Sequence, residues 1–445
     1  MLSIDRSVSS RFLLSFLIDK PQGGDCFILV EIGRQTVDVR VTTRIRLLVE
    51  KLQKLESPKL VMNPNVGCKS YPHRILISTN IPKAVMIQFD PKLITQHELL
   101  QIVHEAESSI PATTDIKIPC REIHVPVVFD HPDIAASEKR YIETNRPTAV
   151  YLPDNVEYLR TNNGLSTRRQ TFETLLNSPY LIVAVGFLVG TPILFPLEPM
   201  SGIVGQKYNP TRISTPGGTI GMGGSLFAIY PLEAPGGYMM FARTMECWDA
   251  FGNGPSFTPA RPWLYEPFDM VKYHEVSIEE YDKLMLEYRR GKYEFDIREG
   301  VFDLAEIHAV FEKSRANETV KAFREKQRKG VAENLAVEKK LYGEWVAAQE
   351  AEKERELERV KGMMDAEPKV TIDSPIDANV WKVNVEQGDV LKEGQVVAIL
   401  EAMKMEINVV CEGEAVGKRV EAIASKPGSV VSPGAWIVVL EADEG

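Results

Sequence analysis

The stretch that decides the fold is GDVLKEGQVVAILEA, Gly388 to Ala402, which returns at a constant offset as GSVVSPGAWIVVLEA, Gly428 to Ala442. Glycines occur at equivalent places in both copies, at 388 and 394 and again at 428 and 434. Glycine adopts the backbone conformations that tight turns need. Two equivalent strand-turn-strand units predict a flattened β-barrel with pseudo-twofold symmetry over residues 367–445.

One lysine breaks this repeat. The first copy continues after Ala402 as Met403-Lys404-Met405, whereas the second ends as Asp443-Glu444-Gly445. Lys404 follows a strand, at the position expected for a hairpin turn. A lysine at a turn of a small rigid domain is well placed to be modified covalently and to reach other sites. An ordinary exposed lysine is the alternative.

Composition and charge exclude several classes of protein. Lys plus Arg number 52 and Asp plus Glu 62, a net charge of −10 that disfavours nucleic-acid binding through a basic face. No apolar run approaches the ~18 to 20 residues of a membrane span, and the apolar run 12–18 lacks a signal-peptide cleavage site. Five scattered cysteines without a Cys-x-x-Cys pair fit reduced thiols. We therefore predict a cytoplasmic protein that binds neither nucleic acid nor membrane.

The rest of the chain predicts an α+β and all-β multidomain protein. Cys26–Glu31 is a β-prone apolar run, Val39–Leu55 has apolar residues near helical spacing, and Leu93–Ala106 resembles a helix whose capping box is Thr95 and Glu98. From Pro119 onward, short apolar runs between Gly and Pro residues predict a sandwich or barrel. Residues 301–366 are charged and poor in Gly and Pro, which predicts a helical linker, although a helix that packs on a domain has the same composition.

The lysine segment resembles a known attachment motif. Glu401-Ala402-Met403-Lys404-Met405 is similar to the motif of biotin carboxyl carrier domains, and Ser374-Pro375 and Val380–Val383 also match that family. The resemblance implies covalent biotin on Lys404, within a motif formed by Glu401, Ala402, Met403 and Met405, and a biotin protein ligase as partner. Lipoyl domains share the fold, but their lysine usually lies in an Asp-Lys-Ala context. Ala378-Asn379 departs from the glycine common near the first turn.

A second resemblance covers the middle of the chain. It rests on KYNPTR (207–212), IGMGG (220–224), Tyr230, PGGY (235–238), ART (242–244), Trp248 and PWL (262–264). These segments resemble the allophanate hydrolase subunit 1 family, in the version that urea carboxylase and fungal urea amidolyase contain. The resemblance implies a cyclophilin-like β-barrel that forms half of a carboxyltransferase and is followed by a biotin carrier. It extends over roughly residues 20–445.

The chemistry needs a pocket that orients a urea-like amide and stabilises developing charge. Polar and glycine residues of the matching segments are the candidates, and hydrogen bonding at the barrel rim is their structural alternative: Tyr208, Asn209, Arg212, Gly223, Tyr230 and Arg243. We predict no metal site, because the seven histidines show no ligand spacing. No histidine lies in 201–268 or in the carrier, which argues against a histidine-based mechanism.

Loading of biotin needs an ATP-grasp domain, for which the chain has no room, and the sequence lacks a phosphate-binding loop. We expect the chain alone to hydrolyse no ATP. ATP, Mg²⁺ and bicarbonate would be used by a separate biotin carboxylase. The remaining partners are the other carboxyltransferase half and a small amide substrate.

Three departures from the family pattern bear on these expectations. Gly186 occupies the place, four residues before Gly190-Thr191-Pro192, where urea carboxylases have an acid that the resemblance assigns to holding urea. We expect Gly186→Asp to improve urea turnover, unless Glu198 has taken over that role. Residues 69–84 resemble an insertion, and residues 1–20 match nothing.

The predicted organisation has five parts: an unassigned segment (1–20), a small α/β lobe (21–118), a cyclophilin-like barrel (119–300), a charged helical linker (301–366) and a biotin carrier (367–445). The predicted function is to carry carboxybiotin on Lys404 and to supply half of a carboxyltransferase site for urea or a urea-like amide. Carboxylation of another amide or guanidine-like substrate is one alternative. A non-catalytic biotinyl carrier or scaffold is the other.

Overall fold

The computed structural model describes residues 27–31, 37–54, 76–81, 84–89, 91–186, 188–364, 370–402 and 405–441. The chain forms two compact units, residues 1–339 and 340–445. The unassigned segment 1–20 lies outside the described residues.

The N-terminal lobe is a three-stranded antiparallel sheet with two helices. Its elements are β1 (Phe27–Glu31), α1 (Val39–Gln53), β2 (Leu76–Ile81), β3 (Ala84–Gln88) and α2 (Gln96–Ser108), and the strand order is β1-β3-β2. The strand and both helices expected from sequence are confirmed, as is the capping box of Thr95 and Glu98. In the segment predicted as an insertion, residues 76–81 form edge strand β2. Residues 69–75, 82 and 83 lie outside the described part.

The central part of the chain is a nine-stranded mixed sheet, of which seven strands close into a ring. Its strands are β4 (Lys117–Val128), β5 (Tyr180–Val185), β6 (Pro192–Pro196), β7 (Lys207–Thr215), β8 (Thr219–Gly223), β9 (Leu226–Ile229), β10 (Ala234–Thr244), β11 (Met270–Glu275) and β12 (Asp296–Asp303). The order is β12-β4-β11-β5-β6-β9-β8-β10-β7. Arg243 and Thr244 of β10 pair with Val128 and Val127 of β4, which closes the seven strands from β4 to β10 in the sheet order into a ring. The closed ring agrees with the predicted barrel, whose cyclophilin-like kind stays a prediction.

Four helices accompany the ring, and the all-β expectation for 119–300 was wrong in omitting them. They are α3 (Pro132–Thr144), α4 (Asn155–Asn162), α5 (Arg168–Leu176) and α6 (Ile278–Arg289). Each helix is short, and a side chain at its N-terminus accepts a hydrogen bond from a backbone N–H. The accepting side chains belong to His131, Asp154, Thr167 and Ser277, in the order of the helices. Packing on the ring stabilises such helices more than their own amphipathic pattern does.

The charged segment after the ring is helical, as predicted. It comprises α7 (Leu304–Ala316) and α8 (Glu318–Met364). A plain linker was the wrong interpretation for the first part of α8, because Phe323 joins the core of the ring and Gln327 is buried. None of the described helices, α8 included, has an apolar stretch that could cross a membrane.

The C-terminal unit consists of two small antiparallel sheets. Its strands are β13 (Thr371–Asp373), β14 (Ala378–Val383), β15 (Val396–Ala402), β16 (Met405–Val410), β17 (Val420–Ile423), β18 (Val430–Val431) and β19 (Trp436–Leu440). One sheet has the order β13-β19-β17 and the other β16-β15-β14-β18. Apolar side chains from both sheets form one core, which includes Val397 and Leu400 with Ile437 and Leu440.

Backbone geometry confirms the pseudo-twofold symmetry that the repeat predicts. The amide of Gly388 donates to Val420 O (2.8 Å), and that of Gly428 donates to Val380 O (2.7 Å). Gly388 corresponds to Gly428 in the repeat, and Val380 corresponds to Val420, so each of these hydrogen bonds is the symmetry equivalent of the other. Gly388 and Gly428 have φ values of +93° and +91°, a conformation that residues with a Cβ resist.

Candidate functional site

The lysine-bearing segment lies between two strands with defined register. Ala402 of β15 pairs with Met405 of β16, which leaves Met403 and Lys404 between them in the sequence. Both of these residues lie outside the described residues. The antiparallel pairing of β15 with β16 agrees with the hairpin that the sequence predicts there.

The surroundings of this turn fit a covalently attached group. Met405 is 61% exposed and Glu406 is also exposed, so the described side chains that follow the lysine lie at the surface. The core of the same unit holds β15 rigidly beneath them, through Leu400. A modifying enzyme and a distant active site could both reach a group attached at such a turn.

A cleft of about 280 Å³ lies beside the closing strand of the ring. Arg243, which is 5% exposed, lines the cleft, donates to the Asp133 carboxylate, and donates through Nη2 to Gly217 O (2.7 Å). Its Nε has no hydrogen-bond partner. Asp282 and Arg289 of α6 line the same cleft. The cleft therefore combines a buried cation with carboxylates, a donor and acceptor set that suits a small amide.

A histidine from outside residues 201–268, His131, lines this cleft. His131 caps α3 and accepts a hydrogen bond from Asp133 N (3.2 Å) at Nδ1, which places its proton on Nε2. Burial, and then the charge of Arg243, lower the pKa of His131. The imidazole is therefore neutral at pH 7. The sequence interpretation missed His131 because it looked for histidines only within 201–268 and the carrier. His131 follows the end of β4, which the closure of the ring brings beside Arg243 of β10.

Two other predicted residues are buried on strand β7, which flanks the ring beside β10. Tyr208 is 3% exposed and donates its hydroxyl to Asn155 Oδ1 (2.9 Å). Arg212 is 2% exposed, lies over the Tyr208 ring at 4.2 Å, and donates from Nε and Nη2 to Thr215 Oγ1. Arg212 Nη1 has no hydrogen-bond partner. This cluster holds strand β7 against α4.

The remaining predicted residues contribute backbone and packing. The side chain of Asn209 is exposed, while its carbonyl accepts from Arg146 Nη1 (3.0 Å). A Cβ on Gly223 would come within 2.6 Å of the Tyr238 ring, and a Cβ on Gly236 would overlap the Tyr230 ring. The glycines of this region thus make room for two tyrosine rings.

The six predicted residues do not gather around one cleft. Arg243 is the only one of them that lines the 280 Å³ cleft. Helix α3 connects the two polar centres, since Asp133 bonds Arg243, while Glu138 is close enough to Arg212 for its pKa to respond to that charge. In the described residues, no group of three His, Cys, Asp or Glu side chains is arranged to hold a metal ion.

Gly186 and Arg243 lie on different strands of the ring. Gly186 directly follows β5, whereas Arg243 lies in β10 and pairs with Val128 at the end of β4. Gly186 is not among the residues that line the Arg243 cleft.

Glu198 lies at the opposite end of β6 from the loop at Gly186. The amide of Gly186 donates to Thr191 O (2.9 Å), next to the start of β6. Glu198 follows the far end of β6, where its own amide donates to Ser178 Oγ (3.0 Å). The whole of β6 separates the two residues, and a role of Glu198 in holding the substrate stays a prediction.

A buried carboxylate on α3 predicts a pH-dependent stability. Burial raises the pKa of Glu138 to about 7, and the hydrogen bond from Asn155 N (2.9 Å) lowers it only in part. Between pH 4.5 and 7 the folded protein keeps a proton that the unfolded chain has released, so the free energy of unfolding falls as the pH rises. Glu138→Gln should remove this loss, which is on the order of 3 kcal/mol.

The measurement is the melting temperature of the full chain from pH 4.5 to 8. The melting temperature of Glu138→Gln should rise progressively relative to that of the wild type above pH 5, and the difference should be largest at pH 8. Glu143→Gln removes an exposed carboxylate from the same helix and should follow the wild type. Parallel curves for the wild type and Glu138→Gln would contradict the assignment.

Known proteins resemble both units. Residues 21–258 match the family described as carboxyltransferase domain, subdomain C and D, and residues 371–440 match the family described as biotin-requiring enzyme. A protein of Emericella nidulans provisionally named a urea carboxylase is 35% identical over 94% of this chain. The urea amidolyase of Saccharomyces cerevisiae is 30% identical over 94% of this chain. The crystal structure of the Kluyveromyces lactis urea carboxylase covers 94% of this chain with a TM-score of 0.67 and 26% identity.

The ring of strands followed by a pseudo-symmetric barrel defines the carboxyltransferase and carrier parts of a biotin-dependent carboxylase. The chain belongs to the carboxyltransferase subdomain C and D family, and its C-terminal unit is a biotinyl domain, which implies covalent biotin. The chain spans 33% of the Emericella protein, 21% of the Saccharomyces protein and 34% of the Kluyveromyces chain.

Proposed function

We propose that the chain carries biotin on Lys404 and contributes half of a carboxyltransferase site that acts on urea or a urea-like amide. The observation that carries the first part is the symmetry of the biotinyl unit. Its two halves share backbone hydrogen bonds and glycine conformations, yet only the first has a lysine beyond its strand. Biotin supplies the ability to carry a carboxyl group, which no side chain provides.

The cleft at Arg243 supports the second part of the proposal. A urea-like amide has one carbonyl acceptor and several N–H donors. The guanidinium of Arg243 can donate to a carbonyl or carboxyl oxygen, and the carboxylates of Asp133 and Asp282 can accept from N–H groups. Neutral His131 can donate a hydrogen bond, or its proton, from Nε2, which is 3.8 Å from Asp282 Oδ1.

The proposed partners follow from the resemblance to longer proteins. A biotin carboxylase would load the carrier with ATP, Mg²⁺ and bicarbonate, a biotin protein ligase would modify it, and another polypeptide would complete the carboxyltransferase. Another amide or a guanidine-like molecule is the alternative substrate, because both carboxylates of the cleft favour a substrate rich in N–H donors.

Reconstitution tests this proposal. The biotinylated chain would be combined with a separately expressed biotin carboxylase and the other carboxyltransferase half, and ADP formation measured with urea, other amides and guanidine. We expect amide-dependent turnover only in the complete mixture. Assembly of a stable complex without turnover on any of these compounds would instead support the non-catalytic carrier or scaffold.

Gly186→Asp locates the substrate within the ring. If the amide binds at the Arg243 cleft, this variant should keep the kcat/KM of the wild type for urea. Improved urea use by Gly186→Asp would place the substrate beside the loop at Gly186 instead, as the family pattern implies.

A further inference from the structure

The first part of α8 is built into the ring unit by one polar face. Six residues of this helix recur at helical spacing and contact the ring or the helices around it, which together we call the ring unit: Phe323, Arg324, Gln327, Gly330, Asn334 and Glu338. They cover 15 residue steps, about 22 Å of helix. Most of these contacts are polar, so the face carries little of the apolar periodicity that marks a packed helix in a sequence.

These contacts fix the register of the helix because they recognise backbone atoms. Arg324 Nη2 donates to Pro199 O (2.7 Å) and Gln327 Nε2 donates to Gly202 O (3.1 Å). A Cβ on Gly330 would lie 2.5 Å from Thr161 O, so the backbone of α8 lies directly against the last turn of α4. A helix displaced by one turn would lose all of these contacts.

The last contact is an ion pair buried between segments that are 192 residues apart. Arg146 Nη1 donates to Glu338 Oε1 (2.6 Å), and Glu338 Oε2 accepts from Val150 N (3.0 Å). Arg146 is fully buried and also donates to Asn209 O, in strand β7. A buried ion pair stabilises a protein no better than apolar residues of the same volume, although the loss of one partner is costly. The contribution of this ion pair is therefore better sought in the position it gives to α8 than in added stability.

We propose that Glu338 is a positioning residue for carboxyl transfer. Its ion pair with Arg146 fixes the register of residues 318–338 on the ring unit, and so fixes where the segment that leads to the biotinyl unit begins. This proposal rests on the proposed function, because a fixed start of the segment matters only if the biotinyl unit takes part in carboxyl transfer. Glu338 does not line the Arg243 cleft.

The test compares Glu338→Gln with Glu333→Gln in the full chain. Glu333 lies on the same helix but is exposed, in an i,i+4 pair with Lys329. We expect backbone hydrogen exchange in residues 318–338 to be about tenfold faster or more in Glu338→Gln and unchanged in Glu333→Gln. Exchange in residues 371–440 should be the same in all three proteins.

The second measurement is carboxyl transfer in the reconstituted system, with biotin either on the chain or free in solution. Glu338→Gln should lower kcat for the tethered biotin by about tenfold, with KM for the amide and the rate with free biotin unchanged. Arg146→Lys keeps a charge, but its shorter side chain ends before the position of Arg146 Nη1, the atom that makes both contacts, and the variant should behave similarly. This variant gives a second route if Glu338→Gln folds poorly.

Each contrary result has a separate meaning. Unchanged hydrogen exchange in both Glu338→Gln and Arg146→Lys would show that the ion pair does not hold the helix, which would overturn the inference. Faster exchange with unchanged tethered transfer would show that the register of α8 does not position the carrier, which would also overturn it. If the wild type transferred no carboxyl group, even from free biotin, the proposed function would fail and the role of Glu338 with it.

Discussion

Lys404→Arg should abolish biotinylation of the full chain when it is expressed with a biotin protein ligase. Arginine keeps the length and charge of the side chain, but its guanidinium stays protonated at neutral pH and cannot act as the nucleophile that forms an amide. The strands on either side, β15 and β16, have their own register and core contacts, so the unit should fold normally. Avidin blotting and peptide mass spectrometry measure the loss.

Lys426→Arg provides the matched control, since Lys426 is an exposed lysine in the second half of the same unit. It should leave biotinylation at the wild-type level. An avidin signal that survives Lys404→Arg, or biotin found on another lysine, would contradict the assignment from broken symmetry. A lipoyl group in place of biotin would contradict the choice of cofactor.

The biotinyl unit could be predicted in detail because its information is local and repeated. Each copy of the repeat supplies its own glycines for turns and its own alternating strand. The positive φ values of Gly388 and Gly428 and the reciprocal hydrogen bonds follow from that pattern. The strands from Pro119 onward could also be found individually, because each is a short apolar run.

The helices around the ring carry a weaker signal. Helix α3 begins at Pro132 with His131 as its cap, and a histidine is not among the residues that usually mark a helix start. Helix α4 has eight residues, and its Asn155 and Asn162 are buried as hydrogen-bonding groups rather than as an apolar stripe. An interpretation based on apolar periodicity passes over such helices, since their stabilising contacts come from the tertiary structure.

The candidate site depends on how the ring closes, which no local pattern contains. Pairing of Arg243 with Val128 brings the end of β10 to the end of β4, and so places His131 and Asp133 beside Arg243. The sequence interpretation grouped residues by their common motif region, and so placed Tyr208 and Arg212 in the pocket. In the structure Tyr208 bonds Asn155 of α4 and Arg212 bonds Thr215, and neither residue lines the Arg243 cleft.

Arg243→Met should reduce carboxyl transfer in the reconstituted system by roughly a hundredfold or more, the range seen when a donor to a developing oxyanion is removed. The variant also leaves Gly217 O without its donor, which should cost about 1 to 3 kcal/mol of stability. Arg243→Lys keeps the charge but can serve only one of the two present acceptors. It should therefore retain more kcat than Arg243→Met at a similar loss of stability.

The comparison of kcat with melting temperature separates a functional role from a structural one. Arg290→Lys and Arg290→Met are the matched controls, because Arg290 is an exposed arginine just past α6 that does not line the cleft. If Arg243 acts on the substrate, kcat should recover with the charge in Arg243→Lys while the melting temperature does not. If kcat instead follows the melting temperature across the four variants, Arg243 only closes the ring against Asp133 and Gly217. The loop at Gly186 would then be the better place to seek the substrate.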